Sequence, residues 1–183
     1  MSTPDRHIAR LNPDEPRPDF DCGDSDLNDY FLIDSVKACT DLVAVTYILL
    51  EGDKVIAFYC VSNDAIRSDL SSVTAFKKLQ KLIIYPEKRY SSLPAVKIGR
   101  FGVSKDYARQ NIGSQLMSAI KYDFINGNKT GCRFIIVDAY NIPKVVSFYE
   151  KNGFKFLSGK DQDQETRLMV YDLIQYANTS KEI

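Results

Sequence analysis

The sequence predicts an α+β domain with a mixed, mostly antiparallel sheet and helices on both of its faces. Three observations carry this prediction. Two runs rich in β-branched and aromatic residues, 43–51 and 54–66, flank a Gly-Asp turn, which is the pattern of a β-hairpin. Residues 112–124 carry an apolar side chain at every fourth position, which is typical of a helix with one buried face. Residues 133–138 are almost continuously apolar, as expected for a central strand of a covered sheet.

The elements before residue 95 follow from local signals. Residues 6–11 give one short strand inside the polar N-terminal segment 1–19. Ser25 is placed to cap a helix that continues through residue 39. After the hairpin, residues 71–82 predict a weaker helix, and 83–94 predict a loop.

The elements after residue 95 are more regular. Residues 95–103 are strand-like, although Gly99 and Gly102 suggest a bulge or the close approach of a ligand. Pro143 begins a helix that ends before Gly153. Two strands, 154–157 and 166–171, complete the sheet.

Composition limits the function classes. The 183 residues fit one domain, 1–183, and the values of 44% hydrophobic and 26% charged residues are typical of globular proteins. Lys plus Arg and Asp plus Glu both number 24, so net charge indicates no polyanionic partner. The N-terminus has no apolar leader and no run has membrane-spanning length, so we expect a cytoplasmic protein with no membrane contact.

Cysteine and histidine content argue against metal and triad chemistry. The four cysteines are scattered without a C-x-x-C pair, and we interpret them as reduced packing residues, with a disulfide or metal site as the alternative. His7 is the single histidine and lies in a polar segment. We therefore predict no metal site and no Ser-His-Asp hydrolysis.

The loop Arg109–Ser114 (Arg109, Gln110, Asn111, Ile112, Gly113 and Ser114) lies between a strand and a helix. A helix N-terminus directs unpaired N–H groups and partial positive charge at one point, so the loop suits an anion such as pyrophosphate. Gly113 permits close approach, and Arg109 and Gln110 add side-chain donors. The loop has neither a Walker pattern nor a dinucleotide fingerprint. Taken alone, it favours a ligand site and a plain turn equally.

Three segments together resemble the GNAT superfamily of acetyl-CoA-dependent N-acetyltransferases. They are Gly99–Val103 in the strand, Ala108–Gly113 in the loop, and Val137–Asn141 followed by Phe148–Phe154 (FYEKNGF), all inside the motif region 96–157. The resemblance implies that acetyl-CoA is the co-substrate. It also implies that the loop binds the pyrophosphate, that Asn141 contributes to the same site, and that backbone amides polarise the thioester carbonyl. Those amides belong to Phe101, Gly102 and Val103.

The chain departs from the family pattern at three points. Ala108 stands where the family has Gln or Arg, and Asn111 replaces the first glycine. Asn tolerates a left-handed backbone, so the loop geometry survives the replacement. The spacing from Asn141 to Tyr149 is one residue longer than usual.

Two residues are candidates for acid–base chemistry. Tyr149 lies where the family places its general acid, and a phenol stays protonated at neutral pH; the alternative is an ordinary amphipathic aromatic. Asp138 is the candidate base, or else a carboxylate that caps the following turn. A weak base favours an amine that is already partly neutral, and an α-amine fits this better than a lysine side chain.

A narrower resemblance concerns residues 19–38 and 94–105, which look like the acetyltransferase toxins of bacterial toxin–antitoxin pairs. That family acetylates the α-amine of aminoacyl-tRNA. The resemblance therefore implies an aminoacyl-tRNA acceptor, an antitoxin protein as partner, and a homodimer. The alternatives are an acetyltransferase for small molecules, peptides or proteins, and a non-catalytic acyl-CoA-binding or interaction domain.

Charge is strongly polarised along the chain. Residues 14–34 hold eight acids and one base, so their net charge is 1 − 8 = −7, whereas residues 77–100 hold seven bases and one acid, giving 7 − 1 = +6. The basic stretch suits an RNA acceptor end, and we predict substrate contacts from Lys88, Arg89 and Arg100. The alternative is a solvated helix face and loop. The acidic stretch suits a basic antitoxin tail.

Overall fold

The computed structural model describes residues 5–68, 72–83, 90–127 and 130–179. The strands in these ranges are β1 (Arg6–Arg10), β2 (Val45–Glu51), β3 (Lys54–Arg67), β4 (Ser92–Val103), β5 (Phe134–Tyr140), β6 (Lys155–Phe156) and β7 (Thr166–Asp172). The helices are α1 (Ser25–Asp29), α2 (Ser35–Thr40), α3 (Val73–Gln80), α4 (Ile112–Asn126), α5 (Pro143–Lys151) and α6 (Leu173–Thr179). A π-helical segment, Tyr30–Asp34, joins α1 to α2.

The strands follow one another in the order β1-β2-β3-β4-β5-β7-β6. The pairs β1–β2, β2–β3, β5–β7 and β6–β7 are antiparallel, and β4–β5 is parallel. This mixed, mostly antiparallel sheet confirms the predicted α+β class. The chain divides into two compact units, one up to Ser62 with Ile98–Ala119 and one of Asn63–Lys97 with the residues from Ile120 onwards. That the chain is a single domain stays a prediction.

The first unit is built around the predicted hairpin. Its turn is Gly52-Asp53, and Gly52 adopts φ +57°, which a side chain would strain. Three aromatic rings, those of Phe20, Phe31 and Phe58, pack at centroid distances of 5.0 to 5.2 Å and form the centre of its core. The predicted Ser25 cap is wrong: Asp24 accepts the Leu27 N–H at 3.1 Å, because Asp24 is the residue with extended backbone just before the first turn.

Gly102 has a packing reason that the sequence did not reveal. A Cβ on Gly102 would lie 2.7 Å from Phe58 Cε1, and one on Gly99 would lie 3.2 Å from Cys60 Sγ. A side chain at either position would therefore crowd β3, which is a packing reason for glycine beside the predicted bulge or close approach of a ligand. β4 also begins at Ser92, inside the segment predicted to be a loop, of which residues 84–89 lie outside the described part.

The second unit has its own core, centred on Phe134, Ile136 and Val170 of paired strands. At the start of β5, Arg133 binds both carboxylate oxygens of Asp172 at 2.7 and 2.9 Å, and this pair fixes the end of β7. The helix α6 follows directly and was not predicted. The four cysteines are free thiols. None of the helices among the described residues combines the length and apolarity needed to cross a membrane.

Candidate active site

The loop after β4 has the backbone of an anion site. A 3₁₀ turn, Lys105–Tyr107, leads into it, and two non-glycine residues then adopt positive φ: Arg109 at 62° and Asn111 at 60°. The Asn111 carbonyl accepts the Gln115 N–H at 3.1 Å, which starts α4. Asn111 thus adopts the conformation of the glycine that it replaces in the family pattern.

A polar network in the first unit anchors this loop. Tyr107 Oη donates to Glu51 Oε2 at 2.7 Å, and Glu51 also accepts from Arg6 at 2.9 Å. The hydrogen bond lowers the pKa of the Glu51 carboxyl and raises that of the Tyr107 phenol. Lys54 pairs with Asp106 at 3.0 Å and lies 5.2 Å from the centre of the Tyr107 ring. Contacts from Glu51 and Lys54 therefore hold Tyr107 and Asp106, the two residues that lead into the loop.

The loop fits a phosphate-bearing ligand. Left-handed residues in a turn favour a concavity lined by N–H groups, and the first turn of a helix adds N–H groups without intrahelical partners. Arg109 and Gln110 are exposed beside it. Upstream, Gly102 is buried, and Phe101 and Val103 are partly exposed at the end of β4. These positions match the predicted acetyl-CoA contacts, which stay predictions.

Tyr149 lies in the second unit, on α5. Its side chain is 9% exposed, and its ring packs edge-on against Phe148 and Phe154 at centroid distances of 5.2 and 5.4 Å. Burial raises the pKa of the phenol to about 12, so the hydroxyl is protonated at neutral pH. No described residue hydrogen-bonds to this hydroxyl. It can therefore donate its proton.

Asp138, the candidate base, is ion-paired. Its Oδ2 lies 2.5 Å from Lys97 Nζ, and both side chains are partly exposed. Lys97 is on β4 and its register partner on the parallel strand β5 is Ile136, which lies two residues before Asp138. Asp138 is therefore engaged by Lys97 rather than free to meet an incoming amine.

Asn141 has a structural task. Its Nδ2 donates to the carbonyls of Gln162 and Gln164 at 2.9 and 3.1 Å, and its N–H donates to Glu165 O at 2.8 Å. These bonds hold the turn before β7. The predicted acetyl-CoA contact of Asn141 therefore has only the side-chain oxygen left for it.

Of the three predicted substrate-binding residues, the structure describes Arg100. Lys88 and Arg89 lie outside the described residues. Arg100 stands over the Tyr30 ring, with the guanidinium carbon 5.5 Å from its centre; its Nε lies 3.4 Å from Asp26 Oδ2, and its Nη1 donates to Gly99 O. The contacts with Asp26 and Tyr30 hold Arg100 beside α1 and the π-helical segment that follows it. The basic stretch also contains exposed lysines on α3 and directly after it, for which no substrate contact was predicted: Lys77, Lys78 and Lys81.

The acidic segment is partly neutralised inside the first unit. Asp21 pairs with Lys105 at 2.6 Å, and this contact, with hydrogen bonds from Asn28 and Gly23, lowers its pKa to about 2. Asp26 pairs with Arg100, as above. Within the described ranges no three His, Cys, Asp or Glu side chains are grouped as metal ligands would be.

Residues 44–156 match a family described as an acetyltransferase (GNAT) domain. Among solved structures, AtaTR bound with AcCoA is 21% identical with a TM-score of 0.73, and the match covers 93% of this chain and 95% of that one. AtaT complexed with acetyl-methionyl-tRNAfMet is 22% identical with a TM-score of 0.73, covering 96% and 99%. A mutant AtaT toxin bound to the C-terminus of the antitoxin AtaR is 20% identical with a TM-score of 0.69, covering 93% and 94%. Identities this low show a shared fold.

Proposed function

Because the chain belongs to the acetyltransferase (GNAT) domain family, it is an enzyme that uses acetyl-CoA, and we propose that its acceptor is the α-amine of aminoacyl-tRNA. The observation that carries this proposal is the Lys97–Asp138 ion pair. Because Oδ2 of the candidate base already contacts the Lys97 ammonium, the proposal favours an acceptor that arrives largely neutral. An α-amine, with a pKa of about 7.7 to 8.0, meets this condition, whereas a lysine side chain near 10.4 does not.

The surface of the second unit supports an RNA acceptor. Lys77, Lys78 and Lys81 are exposed around the C-terminal part of α3, where the negative end of the helix dipole also favours cations. Clustered exposed lysines attract a phosphate backbone without reading its sequence. The fold shared with AtaT, which has been solved with acetyl-methionyl-tRNAfMet, points the same way.

The mechanism that we propose uses the predicted acetyl-CoA contacts and Tyr149. Arg109, Gln110 and the amides from Asn111 to Ser114 hold the pyrophosphate of acetyl-CoA, which supplies the thioester. The amides at Phe101, Gly102 and Val103 stabilise negative charge on the thioester carbonyl oxygen as the amine attacks. Tyr149 donates the proton on Oη to the sulfur as the carbon–sulfur bond breaks, the amine nitrogen loses a proton to solvent, and the phenolate regains a proton from solvent. The products are the amide and free CoA thiol.

The same proposal includes a toxic role and an antitoxin partner. AtaT is described as a toxin, and it binds the C-terminus of the antitoxin AtaR. Asp29 and Asp34 are exposed and suit a basic protein tail near α1, and the proposal also includes a homodimer. Aminoacyl-tRNA is a cytoplasmic substrate, so we place the enzyme there.

The test incubates the protein with acetyl-CoA, a pool of aminoacyl-tRNAs, and competing free amino acids and peptides. We expect acetylated aminoacyl ends. The triple change Lys77→Glu/Lys78→Glu/Lys81→Glu should lower kcat/KM for tRNA and flatten its salt dependence while CoA binding persists. The matched control is Lys155→Glu/Lys160→Glu, which changes exposed lysines elsewhere in the second unit.

Different outcomes separate the possibilities. Acetylation of free amines alone would leave the acetyltransferase standing and overturn the tRNA acceptor. Turnover of no amine in the panel would overturn catalysis itself. Expression in a bacterial host should arrest growth, and a small protein encoded beside the gene should relieve the arrest. Normal growth at high expression of active enzyme would contradict the toxic role.

A further inference from the structure

Lys121 is buried where its sequence neighbourhood predicts an apolar side chain. It lies on α4 directly after Ile120 and one turn after Met117, which are both fully buried. Lys121 itself is only 5% exposed, and burial lowers the pKa of its ammonium to about 8. Lysine is almost never buried this deeply without a partner, because the desolvation of the charge is costly.

The partners of Lys121 are a carbonyl and two aromatic rings. Its Nζ donates to Asn152 O at 2.6 Å and lies 3.9 Å from the centre of the Tyr171 ring and 5.7 Å from that of Phe154. No carboxylate among the described residues pairs with it. Asn152 is the C-cap of α5, where carbonyls lack intrahelical donors and the helix dipole is negative. Lys121 therefore places a cation at the C-terminal end of α5.

This end of α5 is connected to Tyr149 by two short routes. The N–H of Asn152 donates to Tyr149 O at 3.0 Å, so the residue that Lys121 holds also binds the backbone of Tyr149. The N–H of Phe154 donates to the same carbonyl at 3.0 Å, and its ring packs on the Tyr149 ring. A shift of Asn152 or Phe154 would consequently move the phenol.

We propose that Lys121 is a positioning residue for the acetyl transfer: by binding Asn152 O and the Phe154–Tyr171 rings, it fixes the last turn of α5 and with it the hydroxyl of Tyr149. This inference rests on the proposed role of Tyr149 as proton donor. Reactive groups lose rate steeply when they are displaced, so the position of a proton donor justifies a buried charge that the core would otherwise avoid.

The experiment is a double-mutant cycle with steady-state acetyl transfer as the readout. Lys121→Met keeps the length and bulk of the side chain and removes its donor and charge. We expect kcat to fall about tenfold with the KM for acetyl-CoA unchanged, because a displacement of ~1 Å is enough for such a loss. In the Tyr149→Phe background the same change should alter kcat less than about twofold, since the group that Lys121 positions is already gone.

Controls keep folding separate from positioning. Lys155→Met removes an exposed lysine of the same unit and should leave kcat at the wild-type value. The cycle is repeated with Lys121→Gln, which keeps a neutral hydrogen-bond donor. If one of the two Lys121 variants fails to fold, the other still tests the positioning role. Circular dichroism establishes that each protein is folded.

The outcomes distinguish this inference from the function on which it rests. Wild-type kcat in folded Lys121→Met, or an equal loss in both backgrounds, would overturn the positioning role while leaving Tyr149 as the proton donor. Full activity of Tyr149→Phe would overturn the proton-donor role, and the inference would fall with it. A loss of kcat that appears only when Tyr149 is present supports both the positioning role of Lys121 and the proton-donor role of Tyr149.

Discussion

Raising the pH should stabilise this protein relative to a variant without Lys121. Burial lowers the pKa of the Lys121 ammonium from its ordinary value of 10.5 to about 8 in the folded state. The unfolded chain therefore binds more protons than the folded chain between these values, and the free energy of unfolding rises with pH across that window. The full difference corresponds to about 3 kcal/mol, because one pKa unit is worth about 1.4 kcal/mol.

The measurable part of this effect lies between neutral and alkaline pH. From about pH 7 to about pH 9.5, the linkage relation gives the wild type an increase of about 2 kcal/mol that Lys121→Met lacks. The assay is urea unfolding of both proteins at several pH values, compared as the difference in their free energies of unfolding. Tyr149 and Tyr171 are present in both proteins and have raised pKa values, so their titrations cancel from the difference.

A second comparison isolates burial as the cause. Lys155→Met removes a lysine that is exposed, and its difference from the wild type should not change with pH over the same range. A Lys121→Met difference that stays constant, or that moves against the wild type as the pH rises, would refute the reasoning. It would show that the carbonyl and ring contacts offset the desolvation of the ammonium.

Two further predictions concern single glycines. Gly113→Asp brings a carboxylate to the first turn of α4, so the affinity for CoA measured by calorimetry should fall at least about tenfold in a folded protein. Ser118→Asp, on the exposed face of the same helix, should keep the wild-type affinity. Equal affinities of the two variants would show that the loop does not bind CoA. Gly153→Ala should lower the free energy of unfolding by about 2 kcal/mol, because φ is +81° and the new Cβ would lie 2.9 Å from Tyr171 Cε2. Gly159→Ala has open space around it and serves as the matched control; similar losses in the two variants would contradict the steric explanation.

The sequence was sufficient where local pattern decides the structure. The hairpin, α4, α5 and β5 were predicted because their signals lie within a few residues of each element. These signals are two β-branched, aromatic-rich runs around Gly-Asp, a four-residue apolar period, Pro143 with Gly153, and a continuous apolar run, respectively. The residue that caps α1 was harder to predict from the sequence. Asp24 and Ser25 are both good caps, and only the extended backbone of Asp24 separates them.

Contacts that are distant along the chain were not predictable in this way. Lys121 follows Ile120 like an ordinary flanking charge, and its partner Asn152 is 31 residues away. Gly102 was interpreted as a sign of a bulge or the close approach of a ligand, and its packing against Phe58, on another strand, was not visible. In both cases the residue type was visible and its neighbour was not, because tertiary packing determines the neighbour.

Three costly features of this chain belong to its proposed chemistry, whereas the left-handed backbone of Leu42 does not. Arg109 and Asn111 adopt left-handed backbone without being glycine, and Lys121 places a charge in a core. Each of these choices is less stable than an available alternative, since glycine relieves the first two and methionine fills the third. The two loop residues lie in the segment proposed to bind pyrophosphate, and Lys121 holds the helix that carries the proposed proton donor. Strain and a buried charge in these places are what is expected if binding and proton transfer, rather than folding stability, determine the residues.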